Sequence, residues 1–363
     1  MSTSALHLVV TGATGFLGAQ TVAAALAHGH RVTAATRRGG SDAPMAWDRA
    51  EGLVRIVADL ATEAGAAALE DAIAEADAVI HAAARLSGDD AEHARDTVAP
   101  TERLLAALAR RAEAGHAPRL ILVSSFSVYG YAALPDGAQL DETTPLEPDP
   151  QMRDAYTRAK LAQERAAMAA VQGSGLAVRA LRPGVIYAAG KLWTPRLGVP
   201  LGPLFLRVGR ATVPGISVEA CAAALVRAAE TPMGPSDISL RPAISQEGGP
   251  RGGFEAINLV EPDPPDAAAW LAVLRRSGWP KRVIPLPWRL ISKAAKALGL
   301  ALVVTPGLSR RLPGLMRAEP LAARFKPLRY SDARFRDRLG GAEGPPFAAR
   351  HATPPPARAP AED

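Results

Sequence analysis

The stretch VVTGATGFLG, residues 9–18, decides the fold of this chain. Its apolar start predicts a β-strand, and its three glycines, spaced G-x-x-G-x-x-G, lead into a helical run that ends near Ala27. Gly12 permits a tight turn, Gly15 lets the backbone approach a pyrophosphate, and Gly18 lets helix and strand pack closely. The positive end of the helix offers free N–H groups to that pyrophosphate. This order of strand, glycine turn and helix predicts a dinucleotide-binding site.

Strand-like and helical runs alternate after this turn, which predicts an α/β protein with a doubly wound, Rossmann-type parallel sheet and a smaller C-terminal α/β substrate lobe. The predicted strands of the sheet are 6–10, 31–36, 54–57, 78–81, 119–123 and 177–181, and its helices lie near 16–28, 64–75, 91–113 and 154–172. The expected domains are a dinucleotide-binding domain at 1–187, with returning elements near 217–230 and 256–260, a substrate lobe at 188–338 and a disordered tail at 339–363. Within the second lobe we expect a loop-rich insertion at 236–253, a helix at 266–277, a strand at 282–285 and an apolar, basic helix at 287–303.

Composition limits the class of protein. A chain of 363 residues exceeds what one hydrophobic core usually supports, so two lobes are expected. Apolar residues make up 48% of the chain, yet none of their uncharged runs reaches about 18 residues, so no transmembrane segment is predicted. The N-terminus does not resemble a signal peptide, and Cys221 is the only cysteine, so we expect a cytoplasmic protein without intrachain disulfides or a metal site. The net charge of +6 comes from dispersed arginines, which argues against nucleic-acid binding.

A second constellation, Tyr156 and Lys160, predicts what the site does. The two residues stand one helical turn apart on the same helix face. A free phenol has a pKa of about 10, and a neighbouring ammonium lowers that pKa, which brings the phenol within reach of acid–base work. The apolar run before Ser125 predicts a strand whose carboxyl end meets the same crevice as the glycine turn. These residues together predict proton transfer beside a bound dinucleotide.

At these residues the chain resembles the extended short-chain dehydrogenase/reductase family, also called the NAD-dependent epimerase/dehydratase family. The matching stretches are 11–18, 59–60, 81–84, 123–130, 156–160 and 181–187. They follow the order and spacing of the family and cover roughly the first half of the chain. The resemblance implies an enzyme with a Rossmann fold and a nicotinamide cofactor.

The resemblance also implies roles for single residues. Ser125 is the implied catalytic hydroxyl, Tyr156 the acid or base, and Lys160 the residue that binds the nicotinamide ribose and tunes Tyr156. Ser124 competes for the hydroxyl role, although the motif at 128–130 favours Ser125. The expected cofactor-binding residues are Gly12, Thr14, Gly15, Phe16, Leu17, Gly18, Arg37, Arg38, Asp59, Leu60, Ala82, Ala83, Ala84, Tyr156, Lys160, Pro183 and Val185.

The end of the second strand bears on the choice of cofactor. An acidic residue there normally binds the adenosine ribose hydroxyls and selects NAD. This chain has Thr36 at that position, followed by Arg37 and Arg38. The missing carboxylate removes repulsion of a 2′-phosphate, and the guanidinium groups can bind it. We therefore expect NADP as the cofactor, with NAD as the alternative. The other interpretation of Arg37 and Arg38 is that they are surface residues without a role in cofactor binding.

Two departures from the family pattern bear on the reaction. Sugar-nucleotide members usually carry Asn just after the Arg-Pro strand end, where this chain has Gly184, and they usually present an arginine clamp for the diphosphate in the small lobe, which the sequence does not reveal. Thr97 stands where the family commonly has Asn, so the proton relay is expected to differ.

The leading hypothesis is an NAD(P)-dependent oxidoreductase that interconverts a secondary alcohol and a ketone by hydride transfer, with Tyr156 as acid or base. The missing Asn at position 184 and the missing arginine clamp favour the reductase and 3β-hydroxysteroid-dehydrogenase-like branches of the family. The apolar segment 192–213 suggests a lipophilic substrate, although core packing explains the same residues. The alternatives are a nucleotide-sugar epimerase or dehydratase with tightly held NAD, and a non-catalytic NAD(P)-binding subunit.

The expected partner is a small-molecule substrate. By analogy with related proteins, the helices at 91–113 and 154–172 are expected to form a homodimer interface. The helix at 287–303 is expected to cover the small lobe, and a contact with a membrane surface is the alternative.

Overall fold

The computed structural model describes residues 4–37, 45–202, 204–234, 252–301 and 317–351. Its strands are β1 (His7–Thr11), β2 (Arg31–Thr36), β3 (Leu53–Val57), β4 (Ala78–His81), β5 (Arg119–Val123), β6 (Gln139–Leu140), β7 (Ala177–Pro183), β8 (Val185–Tyr187), β9 (Val199–Leu201), β10 (Leu204–Val208), β11 (Gly215–Ser217), β12 (Gly253–Leu259), β13 (Arg282–Leu286) and β14 (Arg329–Tyr330). Its α-helices are α1 (Phe16–Ala27), α2 (Glu63–Ile73), α3 (Asp90–His93), α4 (Ala99–Glu113), α5 (Ala155–Ser174), α6 (Val218–Glu230), α7 (Ala267–Leu274), α8 (Trp288–Ala301), α9 (Ala318–Phe325), α10 (Ala333–Leu339) and α11 (Phe347–Arg350).

Seven parallel strands form the central sheet, in the order β12-β7-β5-β4-β1-β2-β3. Helices α1 and α6 pack on one face, and α2, α4 and α5 pack on the other. Strands β1, β4 and β7 are buried along almost their whole length because both faces of the sheet are covered. The predicted doubly wound parallel sheet is confirmed, including the strand that returns near 256–260 to pair with β7.

The long helix predicted at 91–113 is interrupted. The structure has α3, then a π-helical turn at Ala94–Val98, and then α4. Pro100 lies at the start of α4 and lacks the N–H that would continue a regular helix through this point, so a wider turn fits here. A capping box on Asp89 and Glu92 begins α3.

The small lobe is built around the three-stranded sheet β13-β10-β9 and helices α7 to α9. Leu197, Phe205 and Val213 are buried in its core with Trp270. The apolar residues of segment 192–213 therefore largely serve core packing, so the suggestion of a lipophilic substrate loses its support. The insertion predicted at 236–253 lies almost entirely outside the described residues.

The start of the predicted disordered tail is ordered. Helix α10 ends at Leu339, and the chain continues to α11, whose Phe347 is 3% exposed and stacks on Trp270 with ring centroids 4.3 Å apart. The expectation of disorder is wrong for residues 340–351, because an aromatic anchor holds this segment on the small lobe, and residues 352–363 lie outside the described part. Within the described residues, no helix combines the length and apolarity that spanning a membrane requires.

Candidate active site and cofactor cleft

The glycine turn joins β1 to α1 with the close contacts that its spacing predicts. Gly12 has a φ of +67°, and a Cβ added there would lie 2.8 Å from the backbone of Ala83. A Cβ added to Gly18 would lie 2.0 Å from the carbonyl oxygen of Gly12, so only glycine allows α1 to pack this closely. Gly15 is the N-cap of α1 and leaves the first N–H groups of the helix directed at the turn.

A cleft of about 620 Å³ opens at this turn, over the carboxyl ends of the parallel strands. Its wall contains Thr11, Gly12, Thr14, Gly15, Ala35, Thr36, Arg37, Met45, Ala58, Asp59, Leu60, Ala61, Ala82, Ala83, Ala84, Arg85, Asp96 and Pro100. Nine of the residues expected to bind the cofactor are in this wall. The expected residues that the structure describes outside it are Phe16, Leu17, Gly18, Tyr156, Lys160, Pro183 and Val185. The glycines of the turn and the alanines at 82–84 have little or no side chain and leave room for a dinucleotide. The cleft therefore fits this class of cofactor.

The residues expected to select the cofactor are only partly described. Thr36 is buried, and its hydroxyl donates a hydrogen bond to the carbonyl oxygen of Ile56 on β3. Arg37 is exposed on the rim of the cleft, whereas Arg38 lies outside the described residues. Asp59 accepts a hydrogen bond from the N–H of Ala61, and Leu60 is buried beside it.

A buried chain of hydrogen bonds runs from Thr11 at the end of β1, through His81 and Thr101, to Gln163 on α5. Nδ1 of His81 lies 2.8 Å from the hydroxyl of Thr11, and Nε2 lies 3.0 Å from the hydroxyl of Thr101. Thr101 donates to the carbonyl oxygen of Thr97, so its oxygen accepts from Nε2–H of His81 and Nδ1 accepts from Thr11. Burial, and then the charge of Lys160, lower the pKa of His81 to about 3, so the imidazole is neutral. The sequence gives no sign of this role for His81.

The three residues expected to carry the chemistry lie together at the end of β5. Ser125 is hydrogen-bonded to Tyr156. Nζ of Lys160 lies 5.9 Å from the centre of the Tyr156 ring and donates to the carbonyl oxygen of Val123 at 2.8 Å. Burial lowers the pKa of Lys160 to about 8, with Glu164 opposing the shift. The charge of Lys160 acts on His81, which is hydrogen-bonded to Thr11 and precedes Ala82, two residues of the cleft wall.

The structure corrects the expectation that Lys160 lowers the pKa of Tyr156. Burial raises the pKa of Tyr156, and the hydrogen bond from Ser125 opposes this shift only in part. The cost of placing a phenolate away from water therefore exceeds the electrostatic help available in the free protein. Tyr156 is accordingly a protonated phenol in the free protein, poised as a hydrogen-bond donor.

The two neighbouring serines have different surroundings. Ser124 is 2% exposed, and its hydroxyl donates to Glu164 at 2.5 Å. Glu164 also forms two hydrogen bonds with Arg182, at 2.9 and 2.6 Å. Ser124 thus belongs to a buried ionic network beneath the site, while the partly exposed Ser125 faces Tyr156. This geometry favours Ser125 as the reacting hydroxyl.

Thr97, which replaces the usual Asn, lies in the π-helical turn. It is 1% exposed, and its hydroxyl accepts a hydrogen bond from the N–H of Arg85 at 2.9 Å. The side chain of Arg85 pairs with Asp96 and Glu92. Hydrogen bonds from Arg95 and Arg85 hold the pKa of Asp96 at about 2 against the effect of burial. Thr97 therefore holds the backbone of Arg85 in the cleft wall. Among the described residues, it forms no hydrogen bond with Tyr156 or Lys160.

Two arginines that the sequence did not connect interact electrostatically in the fold. Arg196 donates to the hydroxyls of Tyr131 and Tyr330, at 3.1 and 3.4 Å. The Tyr330 ring packs edge-on against Phe126, the residue after Ser125, with centroids 5.5 Å apart. These contacts connect Arg196, through Tyr330, to the residue that follows Ser125.

Arg324 is the second of these arginines. Burial lowers its pKa, Asp154 opposes that shift, and the charge of Arg196 lowers the pKa further. Asp154 is the N-cap of α5, two residues before Tyr156. Arg196 and Arg324 are 128 positions apart in the chain, so sequence spacing could not reveal the pair.

Gly184 has a structural reason to be glycine. A Cβ at this position would lie 1.9 Å from the carbonyl oxygen of Pro214. Pro214 immediately precedes β11, which pairs with β8. The N–H of Val185 donates to the same oxygen at 2.7 Å. Packing therefore excludes Asn at position 184, so its absence says little about the substrate.

Comparisons with known proteins identify the family of this chain. Residues 8–197 match the model of the NAD dependent epimerase/dehydratase family. A curated relative, dTDP-glucose 4,6-dehydratase of Mycolicibacterium smegmatis, is 33% identical over 183 residues, which cover 47% of this chain and 50% of that protein. The match thus spans about half the length of that relative.

Solved structures share the fold over nearly the whole chain. UDP-glucuronic acid 4-epimerase from Bacillus cereus, in complex with NAD, has a TM-score of 0.62 and 16% identity, and 95% of this chain and 96% of that one are covered. MoeE5, in complex with UDP-glucose and NAD, has a TM-score of 0.60 and 21% identity, with 96% of each chain covered. The chain belongs to the NAD-dependent epimerase/dehydratase family, the enzymes also known as extended short-chain dehydrogenases/reductases.

Proposed function

We propose that this enzyme oxidises a secondary hydroxyl of a nucleotide-sugar-like substrate, with NAD as its cofactor. The oxidation is either a transient step of the catalytic cycle or the overall reaction. The observation that carries the proposal is the grouping of Ser125, Tyr156 and Lys160 beside the dinucleotide cleft. The match to a curated dTDP-glucose 4,6-dehydratase and the pair Arg196 and Arg324 support a sugar nucleotide over a lipophilic ketone.

The cleft holds the cofactor through its backbone and small side chains. The glycine turn and the first N–H groups of α1 would bind the pyrophosphate, and Asp59 and Leu60 would contact the adenine. Arg37 lies where it would contact the adenosine ribose or a phosphate on it. When bound, the nicotinamide supplies the acceptor or donor of the hydride.

The side chains of the site handle the proton. Ser125 Oγ would hold the substrate oxygen. In the oxidative direction Tyr156 would first release its own proton to solvent, and the phenolate Oη would then take the proton of the substrate hydroxyl as its O–H bond breaks and the carbon loses a hydride. The reverse transfer returns the proton from Tyr156 to the carbonyl oxygen. Lys160, which is cationic below its pKa of about 8, stabilises the phenolate at the moment it forms.

Arg196 and Arg324 would bind the anionic part of the substrate. Both guanidinium groups are partly buried, and the charge of Arg196 lowers the pKa of Arg324. A phosphate or diphosphate placed between them would remove that repulsion and accept charge-assisted hydrogen bonds. A neutral sterol-like ketone would supply no negative charge to offset that repulsion.

A net reductase that uses NADPH is the second candidate, and Arg37 on the rim of the cleft is the observation that favours it. Such an enzyme would release its cofactor after every turnover. An epimerase would keep the cofactor through the whole cycle, because the hydride returns to the same substrate.

One experiment separates the two candidates. The purified protein is denatured, the released nucleotide is identified, and fresh protein is offered UDP- and dTDP-sugars or ketones with NADPH. Released NAD and conversion of a nucleotide sugar without added cofactor support the proposal. Stoichiometric NADPH consumption with a neutral ketone contradicts it.

Arg324→Gln tests the anion site within the same assay. We expect KM for the nucleotide sugar to rise about tenfold or more, because one charge-assisted contact is lost. Arg289→Gln, on the exposed side of α8, is the matched control and should leave KM unchanged. Equal KM values for both variants would remove Arg324 from the substrate site.

A further inference from the structure

The turn that follows β8 carries a lysine that lies against the first residue of α1. The N–H of Lys191 donates to the carbonyl oxygen of Ala188 at 2.9 Å, and Gly190 has a φ of +77°, so residues 188–191 form a tight turn. The ammonium group of Lys191 lies 4.2 Å from the centre of the Phe16 ring. Since Lys191 is exposed, its ammonium keeps donors available for a ligand.

Phe16 is the first residue of α1, directly after the N-cap Gly15. Its ring is 37% exposed and stands at the end of the helix where free N–H groups face the glycine turn. The ring therefore holds a cation beside the place where the negative charges of a dinucleotide are bound. Among the described residues, no carboxylate forms an ion pair with Lys191, so its charge has no other observed partner.

The turn is also fixed to the small lobe. The indole N–H of Trp270 on α7 donates to the carbonyl oxygen of Leu192 at 2.8 Å, one residue beyond Lys191. Trp270 is fully buried in the small-lobe core. A ligand that binds Lys191 is thereby connected to the lobe that carries Arg196.

We propose that Lys191 is a cofactor-binding residue whose ammonium group pairs with the pyrophosphate of the bound dinucleotide. The positive end of α1 and Lys191 then act on the same two negative charges, one through backbone N–H groups and one across the open side of the cleft. The cation–π contact with Phe16 orients the lysine before the ligand arrives. The inference rests on the proposed function only in requiring that a dinucleotide binds.

Calorimetric titration of the full chain, freed of bound nucleotide, tests the assignment. Lys191→Gln should weaken binding of NAD and of ADP-ribose about tenfold, and Lys191→Arg should restore most of the loss. Adenosine, which has no pyrophosphate, should bind both variants like the wild type. Added salt should narrow the difference between wild type and Lys191→Gln, because this contact is exposed.

Lys293→Gln, an exposed lysine on α8, is the matched control and should bind NAD normally. Wild-type affinity of Lys191→Gln for NAD would overturn the inference, even if that variant were less stable, since the cation–π contact alone would then explain the position of Lys191. A wild-type protein that binds no dinucleotide at all would instead overturn the proposed function, and this inference with it.

Discussion

At the scale of single residues, the chemistry depends on Tyr156. Tyr156→Phe removes the only atom of this side chain that can exchange a proton and leaves the ring packing unchanged. We expect turnover to fall by about 10²–10⁴-fold, the usual contribution of a positioned acid or base. Calorimetric titration should show unchanged NAD affinity, and a variant that keeps wild-type turnover would refute the mechanism.

The serine pair allows a sharper test of the same site. Ser125→Ala should lower turnover by about 10²-fold while stability stays close to that of the wild type. Ser124→Ala removes one of the two donors to a buried oxygen of Glu164, so the free energy of unfolding should fall by about 1–3 kcal/mol. Urea unfolding and initial rates on both variants check the assignment. The opposite pattern would make Ser124 the reacting hydroxyl.

The sequence predicts the residues of the site better than their electrostatics. The spacing of Tyr156 and Lys160 correctly places both on one helix face, and both lie at the end of β5. The spacing carries no information on burial, however, and burial raises the pKa of Tyr156 where the neighbouring ammonium was expected to lower it. The pair Arg196 and Arg324 was missed for a related reason, because only the folded chain brings the two charges together.

At the scale of elements, a close backbone approach determines the residue at position 184. A methyl group there would meet the carbonyl oxygen of Pro214, so Gly184→Ala should lower the free energy of unfolding by about 1–3 kcal/mol. Gly173, near the end of α5, is the control because a Cβ there meets nothing within 4 Å. Gly173→Ala should stabilise the protein by up to about 1 kcal/mol. Thermal unfolding of both variants tests whether packing alone explains Gly184.

The sequence pattern predicts the strands and helices with strong periodicity closely, but it does not predict where a helix is interrupted. The alternation of apolar and helical runs correctly predicts the strands of the sheet, because each strand is buried on both faces and reads as a continuous apolar run. The π-helical turn at Ala94–Val98 has no comparable signal, since its residues suit a regular helix. Only Pro100 hints at the interruption.

At the scale of the whole molecule, a cluster at the amino ends of the strands ties the two helices of one face together. Glu230, at the end of α6, accepts from His28 and His30, which flank the turn between α1 and β2, at 3.0 and 2.8 Å. Burial alone would raise the pKa of Glu230, but these hydrogen bonds and charges bring it below its usual value of 4.5. The folded state therefore favours the ionised form of Glu230.

The sign of the pH dependence follows from that shift. A carboxyl whose pKa is lower in the folded state contributes stability above its unfolded pKa and loses it as the pH falls through the folded value. Wild type should therefore resist urea better than Glu230→Gln above pH 4.5, and the difference should vanish in stronger acid. Glu51→Gln, at an exposed position, should show no such pH-dependent difference. A constant difference at every pH would contradict an ionic role for Glu230.

The last described helix joins the end of the chain to the small lobe. Phe347 is 3% exposed, stacks on Trp270, and meets the ring of Tyr187 edge-on with centroids 5.2 Å apart. Tyr187 ends β8, so this contact links the tail to the strand that leads into the turn carrying Lys191. The buried apolar contacts of α11 therefore help to hold the turn at 188–191, whose Lys191 we propose as a cofactor-binding residue.

Phe347→Ala should lower the free energy of unfolding by about 3–5 kcal/mol, the usual cost of removing a buried aromatic ring. The fluorescence of Trp270 should change with it, because its stacking partner is lost. A chain ending after His351 retains α11 and should match the full-length protein in both measurements, whereas one ending after Leu339 should behave like Phe347→Ala. If all three variants unfolded like the wild type, α11 would add nothing to the small lobe, and the described order at 340–351 would have no energetic role.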